Sequence, residues 1–127
     1  MELQIGLSVT KTMIVQDKDL ARNVGSGGLD VFATPAMLAF MENVALEMVR
    51  PYLSAGSDSV GTSADIKHLK AAPIGSAISC TATITSIEGA RLQFTIECFD
   101  EGGDLIGTSR HGRYIIDIER FLSKLKV

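Results

Sequence analysis

Long apolar runs, paired cysteines, clustered histidines and any block of positive charge are all missing from this 127-residue chain. Apolar residues make up 46% of it, yet no unbroken run approaches the roughly 20 residues that span a bilayer, so no membrane-spanning helix is expected. The two cysteines, Cys80 and Cys98, lack the paired spacing of a zinc knuckle, and the two histidines, His68 and His111, lack an HExxH-like spacing. A bound metal is not expected. Net charge is −3 with Lys and Arg scattered, so there is no basic stripe to neutralise the phosphates of a nucleic acid. The stretch Met1-Glu2-Leu3-Gln4-Ile5 has neither the basic start nor the apolar core of a signal peptide, which makes the cytosol the expected compartment. Length and even composition predict one domain over residues 1–127.

What is present is periodic. Leu7, Val9, Met13 and Val15 share one parity, with Lys11 breaking in, and predict a first strand with one half-buried face. Residues 16–30 carry charges and the run Gly25-Ser26-Gly27-Gly28, which lacks the strand-to-helix context of a dinucleotide fingerprint and predicts a flexible loop. Thr34 at the N-cap, Pro35 at the first helical position and Pro51 near the end predict one helix over about 35–50. Met37, Leu38, Met41, Val44, Ala45, Met48 and Val49 fall on one broad face of it, and Asn43, Glu47 and Arg50 on the other. Phe40 lies on the polar side, so something is expected to cover that side as well.

Strands are predicted over about 60–71, 76–87, 91–99 and 104–116, joined by turn residues at Glu88-Gly89 and Asp100-Glu101-Gly102-Gly103, as an antiparallel meander. Ile78, Cys80, Ala82 and Ile84 share a face with Leu92, Phe94, Ile96 and Cys98 if paired positions sum to about 178, which puts Cys80 beside Cys98 as two packed thiols. A short amphipathic helix with Ile118, Phe121, Leu122 and Leu125 on one side follows. One long helix among antiparallel strands is buried only if the sheet curls around it. The expected class is therefore α+β, the hot-dog arrangement, and an unprotected sheet edge predicts a homodimer or a higher oligomer.

Three polar residues stand out. Glu42 lies about 40° round the helix from Leu38, inside the apolar face. A carboxylate there needs partners or a chemical task, since burial without partners costs several kcal/mol. The plain alternative is a flank Glu reaching water or a cation. Thr34 caps a helix in the ordinary reading, but Glu42 is two turns further along the same helix. His68 alternates with Ile66 and Ala64 and points to one face of its strand, as either a core histidine or a catalyst.

The segments Val31-Phe32-Ala33-Thr34, Met41-Glu42, Val60-Gly61-Thr62 and Ile66-Lys67-His68 resemble, in order and spacing, the hot-dog thioesterases related to fluoroacetyl-CoA thioesterase. The likeness extends through Ala71-Ala72-Pro73, the turn from Ser86 to Arg91 and His111-Gly112-Arg113. The resemblance implies a Thr/Glu/His triad at Thr34, Glu42 and His68, a backbone amide at Gly61 near the substrate carbonyl, and Arg113 in the cavity. It implies hydrolysis of a short acyl-CoA, with coenzyme A as part of the substrate and no other cofactor. Where the fluoroacetyl specialist of that family has an aromatic lid and a Trp after the helix Glu, this chain has the glycine-rich loop and Asn43. Two further readings use the same cavity: a module that binds acyl-CoA without turnover, and a hot-dog dehydratase.

Overall fold

Extended segments near the N-terminus and over the second half of the chain build a single antiparallel sheet, and the one long helix lies against it. The computed structural model describes residues 2–125. In chain order the elements are β1 (Ser8–Ile14), a 3-10 turn (Asp17–Asp19), α1 (Ala21–Val24), α2 (Thr34–Val49), a second 3-10 turn (Arg50–Tyr52), β2 (Ser57–His68), β3 (Ala77–Glu88), β4 (Arg91–Phe99), β5 (Leu105–Asp117) and α3 (Ile118–Ser123). The strand order is β1-β3-β4-β5-β2. Helix α2 packs against all five strands, which one straight helix can do only if the sheet curves around it.

The core is the meeting of two periodicities. Met37, Met41, Val44, Ala45, Met48 and Val49 are the buried side of α2. They face Ile78, Cys80, Ala82 and Ile84 of β3 and Leu92, Phe94, Ile96 and Cys98 of β4, all but fully buried. The expected register holds: Cys80 pairs with Cys98, and the sum of 178 persists from Ser79 to Ile84 before a bulge shifts it by one at Ser86. Both cysteines are buried and unbonded. Leu38 and Phe40 are only partly buried. At Gly107 a Cβ would overlap the Met37 thioether, so β5 approaches α2 closely there and any side chain would oblige Met37 to move.

Four expectations are corrected. The strands are not a simple meander, because β2 crosses to the far edge and pairs with β5 instead of β3. Its sequence explains this: Ser-Asp-Ser-Val-Gly-Thr-Ser-Ala-Asp-Ile-Lys-His is too polar for a place between two strands, whereas β3 alternates cleanly and takes one. The strand expected over 60–71 spans Ser57–His68. Residues 16–30 are not simply loop, since the buried Leu20 and Ala21 pin a 3-10 turn and α1 to the body, a bridge joins Leu20 to Phe32, and Arg22 holds Asp30 at 2.6 Å. The N-cap of α2 is Ala33 instead of Thr34.

Candidate active site

The displaced cap has a chemical consequence. Ala33 is extended (φ −73°, ψ 139°) and offers no side-chain acceptor to the first turn of α2, while Pro35 in that turn has no N–H to satisfy. Thr34 is inside the helix, and its hydroxyl is free of the capping role that threonine usually takes at such an end. It meets His68 instead: Thr34 Oγ1 is 2.7 Å from His68 Nδ1. His68 is the last residue of β2, half-buried, with the Phe32 ring edge-on at 6.4 Å. Burial holds its imidazole below the ordinary histidine value, and the backbone of Lys70 offsets only part of this without closing a hydrogen bond to Nε2. Among the described residues Nε2 is a buried ring nitrogen without a hydrogen-bond partner. A pocket of about 330 Å³ adjoins the pair, lined by Ser26, Val31, Phe32, Ala33 and Leu69 among others.

Glu42 belongs to a second cluster. Eight residues of helix separate it from Thr34, about 12 Å along the axis, so within one chain the two are distinct stations on α2. The expectation that Glu42 is buried in the apolar face is corrected: 43% of its side chain is exposed, and it lies at the flank of the helix. There it faces β2 and β5. A Cβ on Gly61 would come within 2.5 Å of Glu42 Oε2 and 3.2 Å of His111 Cε1, so the absent side chain of Gly61 is the space that the carboxylate occupies. The β2–β5 register slips between Gly61 and Ser63, a bulge that leaves the intervening residue outside the ladder.

Arg113 is nearly buried, with its Nη1 3.9 Å from Glu42 Oε2, an ion pair without a hydrogen bond. It donates from Nε to Ser59 Oγ at 2.8 Å and from Nη2 to the Ser59 carbonyl at 2.9 Å. Its third contact is from Nη1 to His111 Nε2 at 3.1 Å. Burial lowers the proton affinity of Arg113, and Glu42 and Asp58 offset it; guanidinium remains charged regardless. Of the five residues expected at a site, the structure joins Thr34 to His68 and joins Glu42 to Gly61 and Arg113. Ser59 and His111 were not expected. The i, i+2 spacing that puts His111 on the same face as Arg113 was a usable sign; nothing marked Ser59. Among the described residues no cluster of His, Cys, Asp or Glu could hold a metal ion.

A curved antiparallel sheet around one long helix is the arrangement of the hot-dog thioesterase superfamily. The family model described as fluoroacetyl-CoA-specific thioesterase matches residues 15–119, and the chain belongs to that family. It is 37% identical to a fluoroacetyl-CoA thioesterase of Streptantibioticus cattleyicolor over 97 residues, which are 76% of this chain and 69% of that one. A solved structure of a fluoroacetyl-CoA thioesterase superposes with a TM-score of 0.92 at 30% identity, covering 98% of this chain and 96% of the other. A thioesterase superfamily member from Thermus thermophilus superposes with a TM-score of 0.89 at 25% identity, over 96% and 90% of the two chains.

Proposed function

We propose that the protein hydrolyses the thioester of a short acyl-coenzyme A with Thr34, Glu42 and His68 as its reacting groups. The observation that carries this is the 2.7 Å contact of Thr34 Oγ1 with His68 Nδ1 beside a pocket, made by a hydroxyl that the helix end does not use. A neutral imidazole that accepts a hydrogen bond from the Thr34 hydroxyl at Nδ1 carries its own hydrogen on Nε2; as Nε2 protonates the departing thiolate, Nδ1 draws the Thr34 proton, and the proton lost by the water that hydrolyses the acyl group restores it. Glu42 attacks the carbonyl carbon or draws a proton from the attacking water. Negative charge then gathers on the carbonyl oxygen, for which a backbone N–H at Gly61 is a fitting donor. Lys70, the cation lining the pocket, is held by Asp100 and Asp104 at 2.7 Å each, which favours an uncharged acyl group. The free thiols of Cys80 and Cys98 suit a cytosolic setting.

The distance between the two stations on α2 supports a homodimer. The sheet has two edges. On β1, Lys11 points toward α2 and binds Glu47 at 2.6 Å and Asn43 at 3.1 Å, an inward charge of the kind that discourages further strand pairing. On β2, residues 61–65 are exposed without interruption. Two copies joined antiparallel through this stretch bring Gly61 of one opposite the His68 end of the other, and so bring Glu42 of one copy toward the Thr34–His68 pair of its mate. Thiol release from a graded series of acyl-CoAs tests the activity. Mixing Thr34→Ala with Glu42→Gln tests the shared site: reassorted dimers should recover about a quarter of the native rate, since half are mixed and each mixed dimer carries one intact site. No thiol release from any acyl-CoA overturns the activity, and no recovery on mixing overturns the shared site.

A further inference from the structure

Arg113 has five N–H bonds to give, and the fold directs three of its contacts away from Glu42. Ser59 takes Nε and Nη2, and His111 takes Nη1. The state of His111 follows from its other nitrogen. His111 Nδ1 is 2.8 Å from the Ser63 carbonyl, which can only accept, so Nδ1 carries the hydrogen and Nε2 is a bare acceptor. The ring cannot turn away, being 1% exposed and stacked at a tilt on Phe94 with centroids 6.0 Å apart. Burial and the Arg113 charge both act to keep it neutral, against the Ser63 carbonyl and Glu42.

We propose that His111 is a positioning residue for Glu42. By accepting the Nη1 hydrogen it holds the guanidinium as a fixed positive charge beside the carboxylate, yet 3.9 Å short of contact, and leaves both carboxylate oxygens free to act. Nη1 keeps a second N–H, and without the His111 acceptor the group is released to turn toward Glu42 Oε2, 3.9 Å away. A direct charge-assisted bond would hold the lone pairs that the reaction needs. Arg113 and His111 face Glu42 from β5, uncharged Gly61 faces it from β2, and the Arg50–Asp58 pair at 3.0 Å stands beyond Arg113. Arg113 is the one cation among them within ion-pair distance of the carboxylate. This inference rests on the reading of Glu42 as a reacting group.

The experiment compares His111→Phe, which fills the ring's space without an acceptor, with His111→Gln, whose Oε1 can accept in place of Nε2. Each is measured alone and together with Arg113→Met, on whichever acyl-CoA the native protein hydrolyses fastest. His111→Phe should lower kcat about tenfold or more with KM within about twofold of native, and His111→Gln should recover most of the loss. In the Arg113→Met background His111→Phe should cost nothing further, because its effect passes through Arg113. If His111→Phe does not fold, His111→Leu, smaller and equally without an acceptor for Nη1, should give the same loss of kcat at constant KM. The proposal is overturned if the folded variants keep native kcat, if Gln is as poor as Phe, or if the loss persists without Arg113. Glu42→Gln is assayed in parallel. An active Glu42→Gln overturns the underlying reading, whereas an inactive one beside an unimpaired His111→Phe overturns this inference alone.

Discussion

Thr34, Glu42 and His68 are each unremarkable residue types; their surroundings distinguish them. A threonine one residue inside a helix end loses the capping geometry and keeps its hydroxyl for another partner. A glutamate against the bare Cα of Gly61 has a place made for it. If Glu42 is a reacting group, Glu42→Gln keeps size and helix while removing the charge, and kcat should drop about a hundredfold or more with stability nearly unchanged. A carboxylate that only pairs with Arg113, being 43% exposed and screened by solvent, would instead leave turnover alone and alter stability by about 1 kcal/mol or less. Rate and urea-denaturation measurements on the same sample separate these outcomes. Adding Thr34→Ala or His68→Ala to Glu42→Gln in one chain should be scarcely worse than the worst single change, since groups acting as a unit are not additive. A second prediction concerns pH. His68 and His111 both have proton affinities lowered by burial, so between their folded values and about 6.5 the unfolded chain binds more protons than the folded one. Stability is then complete above about 6.5 and falls as pH drops below it. Denaturation midpoints at pH 7.5 and 5.5 should differ in that direction, and replacing both histidines with Gln should flatten the difference.

At the scale of elements, the close approach of α2 to the sheet is set by small residues facing large ones. Gly107 on β5 and Met37 on α2 are such a pair. Gly107→Ala should destabilise the protein by about 1–3 kcal/mol through overpacking, as the fully buried Met37 thioether must shift within the core to make room. Adding Met37→Ala should cost less in that variant than in the native chain, a coupling that a double-mutant cycle measures directly. The same elements show how far patterning reads. The buried side of α2 and the inward parity of β3 and β4 were legible because 3.6- and 2-residue periods leave their mark on every turn and every pair. The position of β2 was not legible. Its polarity marks an edge, but which edge depends on where the chain crosses α2, and no local period records that.

For the whole molecule, the free edge of β2 and the spacing of the two stations on α2 lead to one expectation: a dimer in solution. Sedimentation velocity at micromolar concentration should give twice the chain mass of 13.6 kDa, and a stable monomer would remove the basis for a shared site. The sequence by itself determined the number and type of the main elements, the side each turns to the core, and Cys80 opposite Cys98, because hydrophobic periodicity and strand register are local properties with a fixed repeat. Through family likeness it also marked Thr34, Glu42, His68, Gly61 and Arg113. Only the tertiary structure decided how these combine. It brought together residues 34 positions apart at Thr34 and His68, and separated Thr34 from Glu42 although they share a helix. It also turned His111 and Ser59 into the anchors of Arg113. The reason is physical: a hydrogen bond is fixed to tenths of an ångström by the packing of distant segments, and a sequence pattern constrains the face a side chain takes, not the partner it meets there.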